Sequence, residues 1–169
     1  FNAFQWEFDL NQPAPGPNKP AASVAGRAKP SKNWAIILAQ PSPEDSPLMT
    51  AAFLNDAQLM KTRLTRYCGY SEDRVTLLMP GLPGREATNA NFAKAMSDVA
   101  SKIQSDESVI VYVSSHGYNV GQDSRIATLD SYLGKEGTRV DEIVTTLGNS
   151  KARQRLIIVD ACRSGGMAV

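Results

Sequence analysis

Apolar residues along this chain fall into short unbroken runs, separated by stretches whose apolar positions recur at helical spacing. Trp34-Ala-Ile-Ile-Leu-Ala39, Val75-Thr-Leu-Leu-Met79, Val109-Ile-Val-Tyr-Val113 and Leu156-Ile-Ile-Val159 are rich in branched side chains and bounded by turn formers. Such runs predict strands buried on both faces of a sheet. Between the first two runs, Phe53, Leu54, Ala57, Met60, Leu64 and Tyr67 mark one face of a helix, with Gly69 as its stop. A second helix is predicted from Thr88, as N-cap, to about Ile103, presenting Phe92, Ala95, Met96, Val99 and Ile103 on one face. A polar, glycine-containing stretch follows the third strand, and a shorter helix spans about Val140 to Leu147.

Strands alternating with helices predict an α/β fold of parallel βαβ units, with helices on both faces of the sheet. In such sheets ligands bind outside the carboxyl ends of the strands. That rule selects the loops after Val113 and after Val159. Ahead of the alternating region, residues 11–32 hold Pro13, Pro15, Pro17, Pro20 and Pro30 among small residues and read as an extended linker. Residues 1–10, from Phe1 to Leu10, are too aromatic to be simple linker. The expected division is therefore an N-terminal segment at 1–32 and one α/β domain at 33–169.

Composition narrows the function classes. The 169 residues are 42% hydrophobic and 21% charged, ordinary globular usage with enough apolar material for a core. Eighteen Lys+Arg against seventeen Asp+Glu leave a net charge of +1, without the basic excess that drives nucleic-acid binding. The apolar runs are strand-sized, well below the ~18 residues of a membrane span. Neither nucleic acid nor membrane is an expected partner. Two cysteines, Cys68 and Cys162, and a single histidine, His116, make neither a disulfide framework nor a structural zinc site.

The selected loops read Ser114-Ser-His-Gly-Tyr118 and Asp160-Ala-Cys-Arg-Ser-Gly-Gly166. The one histidine and one of the two cysteines thus both follow a core strand. If the two strands are neighbours, imidazole and thiol face one crevice, which is how a cysteine nucleophile is made. Gly117 lets the backbone approach a ligand, and its N–H can serve an oxyanion. Cys68, at a helix end, is expected to be a buried structural thiol. A nucleotide-binding α/β domain is disfavoured, because Gln40-Pro-Ser-Pro43 stands where a Gly-rich phosphate loop would follow the first strand.

Asp160-Ala-Cys-Arg-Ser-Gly165 resembles the nucleophile segment of caspase-like and metacaspase-like cysteine peptidases, and Ser115-His-Gly117 resembles their histidine segment. The caspase pattern is Gln-Ala-Cys-[Arg/Gln/Gly]-Gly with a histidine about 50 residues upstream. Here the separation is 162 − 116 = 46, with Asp160 in place of the Gln and Ser164 before the glycine. These departures are similar to the metacaspase and bacterial caspase-like branch, as are Leu54-Asn-Asp56 and Ala87-Thr-Asn-Ala-Asn91. Legumain-like peptidases are a more distant resemblance, with which Gly165-Gly-Met167 is compatible.

The resemblance implies a caspase-like α/β/α sandwich with a mainly parallel sheet, incomplete without a following small-subunit segment or a second chain. It implies a cysteine endopeptidase acting on protein or peptide substrates. Cys162 would be the nucleophile and His116 the acid–base, with the N–H groups of Gly117 and Cys162 as the oxyanion hole; no third orienting carboxylate is evident. Asp160, Asp56 and Ser114 would line the pocket for the residue before the cut and favour Arg or Lys there. The alternatives are a catalytically silent scaffold or binding module of the same fold, or a legumain-like peptidase. No metal enters the chemistry, although calcium activation through a segment matched by Asp141 and Glu142 is a family property; two acids in the first turn of a helix also complement its dipole. Autoprocessing would have basic targets at Arg27 and Lys29 in the linker. A cytoplasmic location is the expectation, with secreted and periplasmic settings left open.

Overall fold

A computed structural model describes residues 31–161. The aromatic segment, the linker prolines with Arg27 and Lys29, and Cys162 with the residues after it lie outside the described residues. In chain order the elements are β1 (Trp34–Gln40), α1 (Pro47–Arg66), β2 (Val75–Leu78), α2 (Asn89–Lys102) and β3 (Ser108–Ser115), then β4 (Gly117–Val120) and β5 (Asp123–Ile126). The remainder are β6 (Thr138–Arg139), α3 (Val140–Gly148) and β7 (Gln154–Asp160).

The unbroken apolar runs become a parallel four-stranded sheet in the order β2-β1-β3-β7. Alternate residues of β1 serve opposite faces, which is why the run shows no polar positions. Ile36 and Leu38 join Val111, Val113 and the α2 residues Phe92 and Met96 in one core, which α3 completes with Ile143 and Leu147. Ala35, Ile37 and Ala39 join Leu77 and Tyr112 against Ala57 and Leu64 of α1. Fully burying one such aliphatic side chain stabilises by about 1.5–3 kcal/mol, so this two-sided core is what holds the strands in register. The expected three-layer arrangement is present.

The starts of α1 and α2 both carry a side-chain cap, at Thr88 as the sequence suggests and at Ser46, which the sequence reading places in the loop before α1. Ser46 Oγ accepts the Met49 N–H at 3.2 Å ahead of Pro47, and Thr88 Oγ1 accepts the Asn91 N–H at 3.1 Å. The far end of α1 differs from expectation. Tyr67 is 64% exposed and lies under the Arg63 guanidinium, and Cys68 is exposed rather than buried. Helical periodicity ends at the cap: the Cys68 N–H turns back to the Arg63 carbonyl, Gly69 takes φ 74°, and it is Tyr70 that enters the core. At the opposite edge of the sheet from the strand carboxyl ends, Glu107 is buried. Burial alone would raise its carboxyl, but bonds from Arg74, Trp34 and the Gln104 N–H hold it below the usual range.

The polar stretch after β3 is not featureless. It forms a three-stranded antiparallel sheet, β4-β5-β6, with a short 3₁₀ helix at Leu129–Leu133 between β5 and β6. Asn89, the first residue of α2, ties this unit to the main domain. Its Oδ1 accepts from the Thr128 and Thr138 hydroxyls at 2.8 and 2.9 Å, and its Nδ2 donates to the Glu136 carbonyl at 2.7 Å. Gly137 passes so close to β5 that an added Cβ would stand 2.1 Å from the Ile126 carbonyl oxygen. Gly137→Ala is therefore expected to cost about 1–3 kcal/mol. The check is its melting temperature beside that of Gly148→Ala, whose methyl meets open space; equal values would mean that the close approach does not exist.

Candidate functional site

Parallel pairing brings the carboxyl ends of three strands together: Ala39 stands opposite Ser114, and Ser114 opposite Asp160. The strands leading to His116 and to Cys162 are therefore direct neighbours, as the two-loop argument requires. Cys162 itself lies outside the described residues, two positions after the end of β7. His116 occupies the single residue between β3 and β4, so each sheet holds one side of it. Its carbonyl accepts the Ala127 N–H at 2.7 Å, anchoring its backbone to the small sheet.

The imidazole is held by two further contacts. Its Nε2 lies 2.9 and 3.0 Å from Asp45 Oδ1 and Oδ2, and the Phe53 ring meets it edge-on, 5.0 Å between centroids and 66° between planes. Asp45 belongs to the loop after β1, directly before the Ser46 cap of α1, and its side chain is 12% exposed. A turn fixes that carboxylate: Oδ2 accepts the Ser42 N–H at 2.7 Å, and the Asp45 N–H donates to the Ser42 carbonyl at 3.1 Å. Sequence reasoning named no orienting carboxylate. The strand-end rule that chose the other two loops applies equally to the loop after β1, and was the available signal.

Beside His116 opens a cleft of about 690 Å³ lined by Ser42, Asp45, Gly117, Tyr118, Tyr132 and Lys135, among others. Gly117 is thus positioned at the wall of a ligand-sized space. Burial, and then the Asp45 carboxylate, push the Tyr132 phenol up; the Ser42 hydroxyl lies beside it without the geometry of a hydrogen bond, and the phenol has no other partner among the described residues.

Asp56, Ser114 and Asp160 gather around a different residue, Tyr112. The register of β1, β3 and β7 turns Tyr112, Ser114 and Asp160 toward the face covered by α1, which carries Asp56 one turn beyond Phe53. The Tyr112 hydroxyl makes a long contact of 3.5 Å to Asp160 Oδ2. Desolvation raises its pKa most, and the charges of Asp160 and Asp56 raise it further. Ser114 is 1% exposed; its hydroxyl lies beside the Tyr112 phenol without the geometry of a hydrogen bond and has no other partner among the described residues. Both carboxylates are exposed there, which leaves them open to a cation.

Among the described residues, no three His, Cys, Asp or Glu side chains converge as a metal site. Asp141, in the first turn of α3, is engaged by the Arg139 guanidinium, whose hydrogen bond holds its carboxyl below the usual range. No described helix is long and apolar enough to cross a membrane.

The Tyr112 cluster yields a test that needs no activity. The Tyr112 phenol, isolated in absorbance titrations by difference from Tyr112→Phe, should ionise above the ~10 of a free tyrosine. In Asp56→Asn/Asp160→Asn its midpoint should move down, because two repelling charges have gone. An unmoved midpoint would place the two carboxylates away from the phenol.

Residues 33–169 match the family model described as the caspase domain. A search of curated proteins found no match to the chain.

Proposed function

Because the chain belongs to the caspase-domain family of cysteine peptidases, we propose that it hydrolyses peptide bonds in protein substrates through Cys162 and His116. The observation that carries this reading is the direct pairing of β3 with β7, which starts the His116 and Cys162 loops side by side at one sheet edge. In the proposed reaction His116 takes the proton of the Cys162 thiol, and the sulfur attacks the scissile carbonyl carbon to form a C–S bond. As the C–N bond breaks, His116 gives its proton to the departing amine. It then takes a proton from water as the water oxygen attacks the thioester, and returns that proton to the departing sulfur as the C–S bond breaks, freeing the thiol. The Gly117 and Cys162 N–H groups are the oxyanion donors in this scheme. None of these steps calls on a metal.

The same reading assigns the Tyr112 cluster to the substrate residue before the cut. Asp56 and Asp160 would pair with an Arg or Lys side chain, and the buried Ser114 hydroxyl is an unused polar group beside them. A second chain or a small-subunit segment along β7 belongs to the proposal too. Among the described residues β7 is an edge strand with Leu156 50% exposed, and such edges are ordinarily paired or covered.

Peptide turnover tests both parts. Cys162→Ala should abolish hydrolysis while Cys68→Ala keeps most of it, since the exposed Cys68 lies past the end of α1, away from the strand carboxyl ends. Activity that survives in Cys162→Ala would overturn the nucleophile. With paired substrates differing only in Arg or Asp before the cut, Asp160→Asn should lower kcat/KM on the Arg substrate by about tenfold or more, as expected when one partner of a charge pair is removed. Faster cleavage after Asp than after Arg in the unaltered protein would contradict the pocket assignment.

A further inference from the structure

We propose that Asp45 is a positioning residue, holding His116 as the tautomer with its proton on Nε2 so that Nδ1 is left to take a proton from a thiol. This rests on the peptidase reading for its purpose, but not for its evidence. Nε2 has both Asp45 oxygens at hydrogen-bond distance, 2.9 and 3.0 Å, and Nδ1 makes no hydrogen bond among the described residues. A carboxylate can only accept, so a neutral imidazole in this contact carries its hydrogen on Nε2.

The contact is built from both sides. Asp45 is fixed by the Ser42 N–H at 2.7 Å and by its place immediately before the α1 cap. His116 is fixed by the Ala127 N–H and by the Phe53 ring. At 12% exposed the carboxylate is largely shielded from water, so its charge acts on the ring with little screening. When a proton moves from the Cys162 sulfur to Nδ1, the resulting imidazolium donates from Nε2 to a full negative charge. A residue that only closed the Ser42–Asp45 turn would have no need of that charge, because an amide closes the same turn.

Asp45→Asn separates the two roles. In the isosteric amide the carbonyl oxygen keeps the Ser42 N–H, leaving the amide nitrogen as a donor toward Nε2. With a donor at the Oδ1 position, the closer of the two contacts, the neutral imidazole shifts toward the form with its proton on Nδ1, the wrong nitrogen for accepting from a thiol. His116 is the only histidine of these 169 residues, and the imidazole ¹⁵N signals of the untagged protein that vanish in His116→Gln report this ring alone. With the ring titrated to its neutral form, the unaltered protein should show Nε2–H and Asp45→Asn should show Nδ1–H. Turnover of the Arg peptide should fall by about 10²-fold or more in kcat, the lower end of a general acid–base contribution, with KM within about twofold.

The same tautomer in both proteins, or a kcat for Asp45→Asn within about twofold of the unaltered value, would overturn the proposal. A tautomer switch in a protein that cleaves no peptide would support the positioning role and contradict the peptidase reading instead, so the two failures are distinct. Asp45→Ala serves as a second variant. It should lose the Nε2–H preference without inverting it, and a firmly retained Nε2–H form there would also overturn the assignment.

Discussion

Parallel pairing of β3 with β1 on one side and β7 on the other is the constraint on which the site depends. In a parallel sheet every strand delivers its carboxyl end to the same edge, so loops far apart in sequence leave from adjacent points. Asp45 and His116 come from the connections after β1 and β3, and Asp160 closes β7, two residues before Cys162 in the sequence. What holds the pairing is burial on both faces: β1 from Ala35 to Ala39 is wholly inaccessible, and α1 and α2 press on it from opposite sides. A shift of one residue between β3 and β7 would turn Asp160 away from the face shared with Tyr112 and Ser114.

The second constraint is the antiparallel unit that begins directly after His116. A histidine at the end of a strand would ordinarily start a mobile loop. Here β4 follows at once, and its partner β5 leads to Ala127, whose N–H holds the His116 carbonyl. Asn89 then fastens the whole unit to the start of α2. One imidazole is thus gripped through its backbone by the small sheet and through its ring by the loop and helix that follow β1.

Sequence periodicity carried far where the determinant is local. β1, β2 and β3 were legible because two-sided burial leaves an apolar run, and Thr88 because a cap acts within one turn; β7 carries the same kind of run but is an edge strand with no residue fully buried among those described, so the expected two-sided burial is not met there. Extrapolating α1 past its cap misplaced Tyr67 and Cys68, since the chain reverses at Gly69 and sends Tyr70 inward. The β4-β5-β6 sheet was illegible for a different reason. Its strands are short and half-exposed, and what stabilises them is the backbone ladder, the close pass of Gly137 and the Asn89 bonds. Asp45 lies 71 residues before His116, a distance over which no spacing rule operates. Asp56, Ser114 and Asp160 were singled out from resemblance, and their common neighbour Tyr112, absent from that set, is what the strand register adds.

The central claim is that the β3–β7 pairing sets the His116 imidazole beside the Cys162 thiol. Its most direct measurement is the rate at which a peptidyl electrophile alkylates each cysteine, followed by mass spectrometry in the unaltered protein and in His116→Ala. A thiol activated by a neighbouring imidazole reacts mainly as thiolate. The account predicts fast modification at Cys162, slow modification at Cys68, and a Cys162 rate that collapses in His116→Ala. Equal rates at the two cysteines, or a Cys162 rate indifferent to the loss of His116, would contradict it.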